Sequence, residues 1–198
     1  MILIQCAQGR HYERLIEASR AWHARILPGW DHRVFIEQAG PRPPTWDKCR
    51  RIRATLQDAP DGEFIVYLDC DAIIRQNLAT ALPSAMHGTD FGAVENVWGV
   101  YNGGMTIWQA NDRTRRVSRL IDEQGPDMRI PAQEQDTVDF YVRRQLKCVT
   151  LSRNWNDYRG ARGSLNAEPV YIRAWHGTGA AEALPLMERE LEDLQKAA

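Results

Sequence analysis

The sequence predicts an α/β fold, a mostly parallel, twisted sheet between helices, and three observations carry that reading. Phe64-Ile65-Val66-Tyr67-Leu68 is a continuous apolar run of β-branched and aromatic residues, the pattern of a strand covered on both faces. Short runs of this kind alternate with segments of helical periodicity, so the first 70 residues read β-α-β-α-β, the opening half of a doubly wound sheet. The central run ends abruptly in Asp69-Cys70-Asp71, at the strand end where ligands bind in open α/β sheets.

Taken in order, 2–7 is a buried strand closed by a Gln8-Gly9 turn. Tyr12, Leu15, Ile16, Ser19, Trp22 and Ile26 then recur at helical spacing until Pro28-Gly29 breaks the helix. Residues 33–37 form a second short strand. Pro41, Pro43 and Pro44 make a stiff loop, with Thr45 as N-cap of a helix whose apolar face carries Cys49, Ile52 and Leu56. On that helix Lys48 and Arg51 share a face that can look toward an anion, while Arg50 and Arg53 read as a solvated basic face. After the central strand, 77–86 is a short helix or turn and 91–95 a strand. A loop over 96–100 and then Tyr101-Asn102-Gly103-Gly104 lead into a strand over 105–108. The two glycines there allow a close backbone approach or a bulge. A helix capped by Asn111 or Asp112 carries Val117, Leu120 and Ile121. Gln133-Glu134-Gln135-Asp136 stands just before a helix with Val138, Tyr141 and Val142. A strand over 147–151 and a long polar loop over 152–166 follow. The last strand, 170–175, ends at His176-Gly177-Thr178-Gly179, and 182–198 is an amphipathic helix. Nothing divides the chain, so residues 1–198 read as one domain.

Bulk properties exclude more than they assign. With 198 residues, 43% hydrophobic and 26% charged, the chain can bury a substantial core. A net charge of -1 gives no whole-molecule attraction to nucleic acid or to an anionic membrane, so no nucleic-acid partner is expected. Cys6, Cys49, Cys70 and Cys148 are scattered without a CxxC pair, which suits a reducing compartment rather than a disulfide or zinc framework. The first residues lack the basic start and apolar length of a signal peptide, and no stretch approaches the ~18 apolar residues that span a bilayer. A cytoplasmic protein without a transmembrane segment is the expectation.

Chemistry gathers where strands end. Asp69 and Asp71, if the chain stays extended between them, point the same way roughly 6 to 7 Å apart. Such a pair either raises one pKa or recruits a cation, and oxygen ligands suit Mn²⁺ or Mg²⁺, which also bind phosphates. His176, after the last strand, would add a nitrogen ligand. Of the seven tryptophans, Trp22 and Trp108 fit the core, while Trp98 and Trp155 lie in loops where they either pack or offer a ring face to a ligand.

Four stretches in this order resemble the GT-A fold nucleotide-sugar glycosyltransferases, above all the retaining, metal-dependent group of glycogenin, the lipopolysaccharide galactosyltransferases and the yeast-type α-galactosyl and mannosyl transferases. Tyr67-Leu68-Asp69-Cys70-Asp71 resembles their DxD strand end, and Asn102-Gly103-Gly104-Met105 their Asn-x-Gly stretch. Glu134-Gln135-Asp136 is similar to their acidic-Gln-Asp stretch, and His176-Gly177-Thr178-Gly179 to their closing His. The resemblance implies that Asp69, Asp71 and His176 hold Mn²⁺ (or Mg²⁺) against the donor diphosphate, Asp69 also touching the ribose. It implies that Asn102 and Glu134 bond hydroxyls of the transferred sugar, with Gln135 beneath the reacting carbon. Tyr12 would stack on the base, Lys48 would meet the diphosphate or the sugar, and Gly103, Gly104 and Gly179 would line the donor. The donor would be a nucleotide-diphosphate sugar, first of all a UDP-sugar, and the acceptor a glycan, lipid or protein. The chain departs from that group at Gln8, where an Asp is common. It also departs at Ala180-Ala181-Glu182, where a Lys is common, and at Glu134, where Asp is more usual. Two other readings stay open: a non-catalytic nucleotide- or glycan-binding relative, and a DxD phosphohydrolase.

Overall fold

The structure, a computed structural model, describes residues 1–37, 44–125, 134–158, 170–175 and 179–197. Its central sheet contains six strands in the order β2-β1-β3-β6-β5-β7. These are β1 (Ile2–Gln8), β2 (Asp31–Glu37), β3 (Phe64–Leu68), β5 (Phe91–Glu95), β6 (Tyr101–Gln109) and β7 (Cys148–Thr150). β1 runs parallel to β2 and β3, β5 runs parallel to β7, and β6 runs antiparallel to both β3 and β5. β6 is therefore the one reversed strand of this mostly parallel sheet. A second sheet, ordered β4-β9-β8, joins β4 (Ala72–Ile74), β9 (Ile172–Ala174) and β8 (Asp157–Tyr158).

Alternation along the strands sends neighbours to opposite faces, and both faces are covered. Ile65, Tyr67, Ile4 and Trp108 pack with Cys49, Ile52 and Leu56 of α2 (Pro44–Asp58), Val117 and Ile121 of α4 (Asp112–Gln124), and Val138 and Val142 of α5 (Glu134–Gln145). Val66, Leu68, Met105 and Ile107 pack the other way, onto Leu82 of α3 (Ala81–Ala85) and the Ala72, Ile74 and Ile172 side chains of the small sheet. A third cluster joins Leu15, Ile16 and Trp22 of α1 (Arg10–Ile26) to Met187 and Leu191 of α6 (Ala180–Ala197).

Several local expectations change. α2 begins at Pro44, so Thr45 is a first-turn residue rather than the cap; proline suits that position because its missing N–H has no helical partner there. Asn111 caps α4 in a reciprocal capping box with Thr114. Gly103 and Gly104 lie inside β6, and Glu134, Gln135 and Asp136 form the first turn of α5 rather than preceding it. The chain does not stay extended from Asp69 to Asp71: the Ala72 N–H donates to the Asp69 carbonyl at 3.2 Å, which folds the stretch into a tight turn between β3 and β4.

α1 grips the strand beyond that turn. The Trp22 indole N–H donates to the Ile74 carbonyl at 2.7 Å, and the Ile74 N–H donates to His23 Nε2 at 3.1 Å. Both backbone groups of one β4 residue are thus satisfied by side chains of α1. The small sheet is tied in turn to α6, because buried Arg173 donates to both oxygens of Glu190 at 2.8 Å and Arg75 pairs with the same carboxylate.

Candidate active site

Parallel strands bring their carboxyl ends to one edge, where Gln8 of β1 stands beside Glu37 of β2. Because β6 runs the other way, it delivers its amino end to that edge. Leu68 pairs with Met105, and the Asp69 N–H donates to the Gly104 carbonyl at 2.8 Å. The reversal of one strand therefore places Asn102-Gly103-Gly104 alongside the acidic turn.

Lys48 gathers the site. It is 7% exposed, and its ammonium donates to the Gly103 carbonyl at 3.0 Å. It also lies 3.0 Å from Glu134 Oε1, 4.0 Å from Asp69 Oδ1 and 5.4 Å from the centre of the Tyr67 ring. Burial works against the lysine charge, but Glu134 and Asp69 outweigh it and hold the ammonium above the usual lysine range. Glu134 is 5% exposed; burial pushes its carboxyl upward, and Lys48 pulls it partly back. The Tyr67 hydroxyl donates to Asp69 Oδ1 at 2.6 Å, and burial together with the Asp69 charge keeps that phenol protonated. Gln135 Oε1 accepts from the Gly103 N–H at 2.9 Å, which leaves its NH₂ to donate elsewhere, and Asn102 Oδ1 accepts from the Gly104 N–H at 2.7 Å. A Cβ on Gly103 would stand 2.8 Å from Glu134, 2.9 Å from Lys48 and 3.0 Å from Gln135, so the side chains converge where only glycine fits.

Beside this cluster opens a cleft of about 390 Å³, lined by Gln8, Tyr12, Glu37, Asp47, Lys48, Tyr67, Asp69 and Asp71. Its size suits a ligand larger than a monosaccharide, and its lining offers both tyrosine rings and carboxylates. Cys6 and Cys70 also line it, but burial pushes both thiols up, Cys6 to about 12, so neither supplies a thiolate nucleophile.

No protein-family model and no curated protein sequence matches the chain. Solved structures do. A glycosyltransferase involved in glycosylation of the major capsid of PBCV-1 superposes with a TM-score of 0.72 at 15% identity, over 95% of this chain and 98% of that one. The galactosyltransferase LgtC in complex with donor and acceptor sugar analogues gives 0.59 at 16% identity, over 99% and 96%. The glycosyltransferase GlyE of Streptococcus pneumoniae TIGR4 gives 0.64 at 11% identity, over 98% and 63%.

The chain has the GT-A glycosyltransferase fold.

Most of the sequence-predicted residues come together on one edge of this GT-A sheet. Asp69, Asp71, Lys48 and Tyr12 line the cleft, Tyr12 being 45% exposed in the first turn of α1 where Gly9, at φ 90°, turns the chain out of β1. Asn102, Gly103, Gly104, Glu134 and Gln135 surround Lys48 or the backbone it holds. Gly179 immediately precedes α6, with nothing within 4 Å of where its Cβ would be. His176 lies outside the described residues, and among those described no three His, Cys, Asp or Glu side chains gather as a metal site. Arg51 pairs through its Nε with the Glu37 carboxylate, and its guanidinium stacks 4.5 Å from the Phe35 ring centre. Arg53 is not simply solvated, since it pairs with Asp122 at 2.8 Å and ties α2 to α4. Of the two loop tryptophans, Trp155 is buried and stacked on Tyr171, whereas Trp98 is 83% exposed. Sequence reasoning passed over Tyr67 and Glu37 as site residues. Each carried a signal: Tyr67 is two residues before Asp69 on one strand, and Glu37 is the last residue of its strand.

Proposed function

We propose that the chain transfers a sugar from a nucleotide-diphosphate donor, a UDP-sugar in the first instance, to a glycan acceptor in a metal-dependent reaction that retains anomeric configuration. One observation carries this reading. The acidic turn is bonded through Asp69 to Tyr67 and Lys48, and through Lys48 to Glu134, Gly103 and so Gln135, at the carboxyl edge of a GT-A sheet.

Two carboxylates on a tight turn facing a cleft of this size fit a hard divalent ion, with Asp69 and Asp71 as ligands and His176 as the third. Held by those residues, Mn²⁺ or Mg²⁺ would supply Lewis-acid stabilisation of the negative charge on the departing nucleotide. The chain's own residues supply the rest. Tyr12 and Gln8, both in the cleft lining, would take the base, and Gly179 would leave room for the donor. Lys48 and Glu134 would form the floor under the sugar, Asn102 would offer its amide NH₂ to a sugar hydroxyl, and Gln135, which accepts from the Gly103 N–H, would lie beneath the reacting carbon. Trp98 sits four residues before Asn102, at most about 14 Å away along the chain, which is within reach of an acceptor sugar face.

The test is turnover. The protein is incubated with Mn²⁺ and a panel of UDP- and GDP-sugars, and release of nucleotide and the anomer of the product are followed by NMR. Wild type is expected to consume one donor, with Asp71→Ala at least 100-fold slower and Trp98→Ala impaired in transfer to an acceptor but not in donor hydrolysis. Binding of nucleotide without turnover of any donor or acceptor would reduce the protein to a binding module.

A further inference from the structure

Two strands meet at Asp71, and one carboxylate holds both. β4 starts directly after Asp71 and pairs antiparallel with β9, Ala72 against Ala174 and Ile73 against Arg173. The ladder runs one residue further each way. The Trp175 N–H donates to the Asp71 carbonyl at 2.9 Å, and the Arg75 N–H donates to the Tyr171 carbonyl at 2.8 Å. Asp71 therefore takes its backbone position from β9 as well as from its own strand.

The carboxylate is Glu190 of α6. Ala183, Met187 and Leu191 recur on that helix at helical spacing and pack with Cys70, Ile73 and Trp175, so α6 backs the acidic turn as well as the small sheet. Glu190 falls on the same side of the helix. Both its oxygens accept from Arg173 Nη1 at 2.8 Å, and its Oε1 lies 2.8 Å from Arg75 Nε. Arg173 also donates through Nε to Asp157 of β8 at 3.3 Å. The group is buried, with Arg173 5% and Asp157 1% exposed.

Stability alone does not call for charges here. Apolar residues of the same volume often serve a buried site as well as an ion pair does, whereas directed bonds from two guanidiniums to one carboxylate fix how their strands lie. β4, β8 and β9 have three, two and three residues, which gives the small sheet few backbone bonds of its own. A metal ligand has to be placed to within about 0.2 Å, so a small slip of β4 against β9 is enough to spoil the position of Asp71.

We propose that Glu190 is a positioning residue for Asp71, acting through Arg75 on β4 and through Arg173 on β9, so that α6 sets the affinity of the acidic turn for a divalent cation. The proposal rests on the metal-dependent reading of the donor cleft. Glu190 is not among the described residues that line that cleft, so its effect passes through the two strands.

Mn²⁺ is titrated into the full chain in the presence of UDP, and the free ion is followed by electron paramagnetic resonance against UDP without protein. Glu190→Gln keeps the size of the side chain and removes its charge. Arg75→Gln cuts one arm only and carries the test if Glu190→Gln does not fold. Asp90→Asn is the structural control: it breaks a buried carboxylate's pair with Arg113 just before β5, at the edge away from the cleft. Circular dichroism shows which variants are folded at the titration temperature. The expected result is an Mn²⁺ Kd raised about tenfold in Glu190→Gln and raised in Arg75→Gln, with Asp90→Asn like wild type. Wild-type affinity in either folded variant of the pair, or an equal loss in Asp90→Asn, would overturn the proposal and leave the metal reading standing. No uptake of Mn²⁺ by wild type beyond that of UDP alone would overturn the metal reading and this proposal with it.

Discussion

Lys48 is the residue on which the candidate site turns. It was legible in the sequence as a cation on the helix before the acidic strand end, but its partners were not, because Glu134 is 86 residues away and only the reversed β6 brings Gly103 between them. Two buried charges answer each other here, so removing one exposes the cost of the other. Lys48→Met is expected to lose about 3–5 kcal/mol of stability near neutral pH, because it strands the buried Glu134 carboxylate without its partner. The sign of its pH dependence follows. Burial already raises the Glu134 carboxyl above its usual range, and without Lys48 nothing opposes that. The fold then accepts the protonated acid more readily than the unfolded chain does. The stability of the variant is therefore fullest below about pH 4.5 and is lost as pH rises through the folded pKa. Urea unfolding of wild type and variant at pH 4.5 and 7.5 measures this, and an equal deficit at both values would contradict it.

Elements were more legible than contacts. The strands and helices declare themselves because each has one period and one buried face, and the order β-α-β-α-β implies the parallel β2-β1-β3 arrangement that the sheet adopts. Two features escaped. The Asp69–Asp71 turn did so because nothing in Asp-Cys-Asp distinguishes an extended end from a bend closed by one backbone bond. The small sheet did so because β4 and β8, three and two residues long, carry no periodicity, whereas β9 falls within the strand expected over 170–175. It is held in place by α1, and that hold should weaken in acid. His23 accepts the Ile74 N–H only while neutral, and its pKa is lowered from the ordinary 6.5 to about 3 by burial, with His32 beside it. A histidine depressed in the folded state takes up its proton first in the unfolded chain. Stability is therefore present above pH 6.5 and lost as pH falls toward 3, by about 1.4 kcal/mol per unit. His32, lowered by its own burial, acts in the same sense. Unfolding free energies at pH 6.5 and 5 should differ by about 2 kcal/mol more in wild type than in His23→Phe; an unchanged difference would remove His23 from the account.

At the scale of the whole molecule, the sheet does what its topology implies. Five strands point their carboxyl ends at one edge, the reversed sixth adds its amino end, and Tyr12, Lys48, Asp69 and Asp71 line one cleft there. Among the described residues no helix is long and apolar enough to cross a membrane. The GT-A likeness is a likeness of fold, at 9–16% identity, and the donor assignment rests on the side chains in the cleft. Calorimetric titration of UDP, and then GDP, into wild type and Asp71→Ala, with and without Mn²⁺, tests that assignment most directly. Binding that requires Mn²⁺, favours UDP and disappears in Asp71→Ala is the expected result. No binding of either nucleotide by correctly folded wild type in the presence of Mn²⁺ would contradict it.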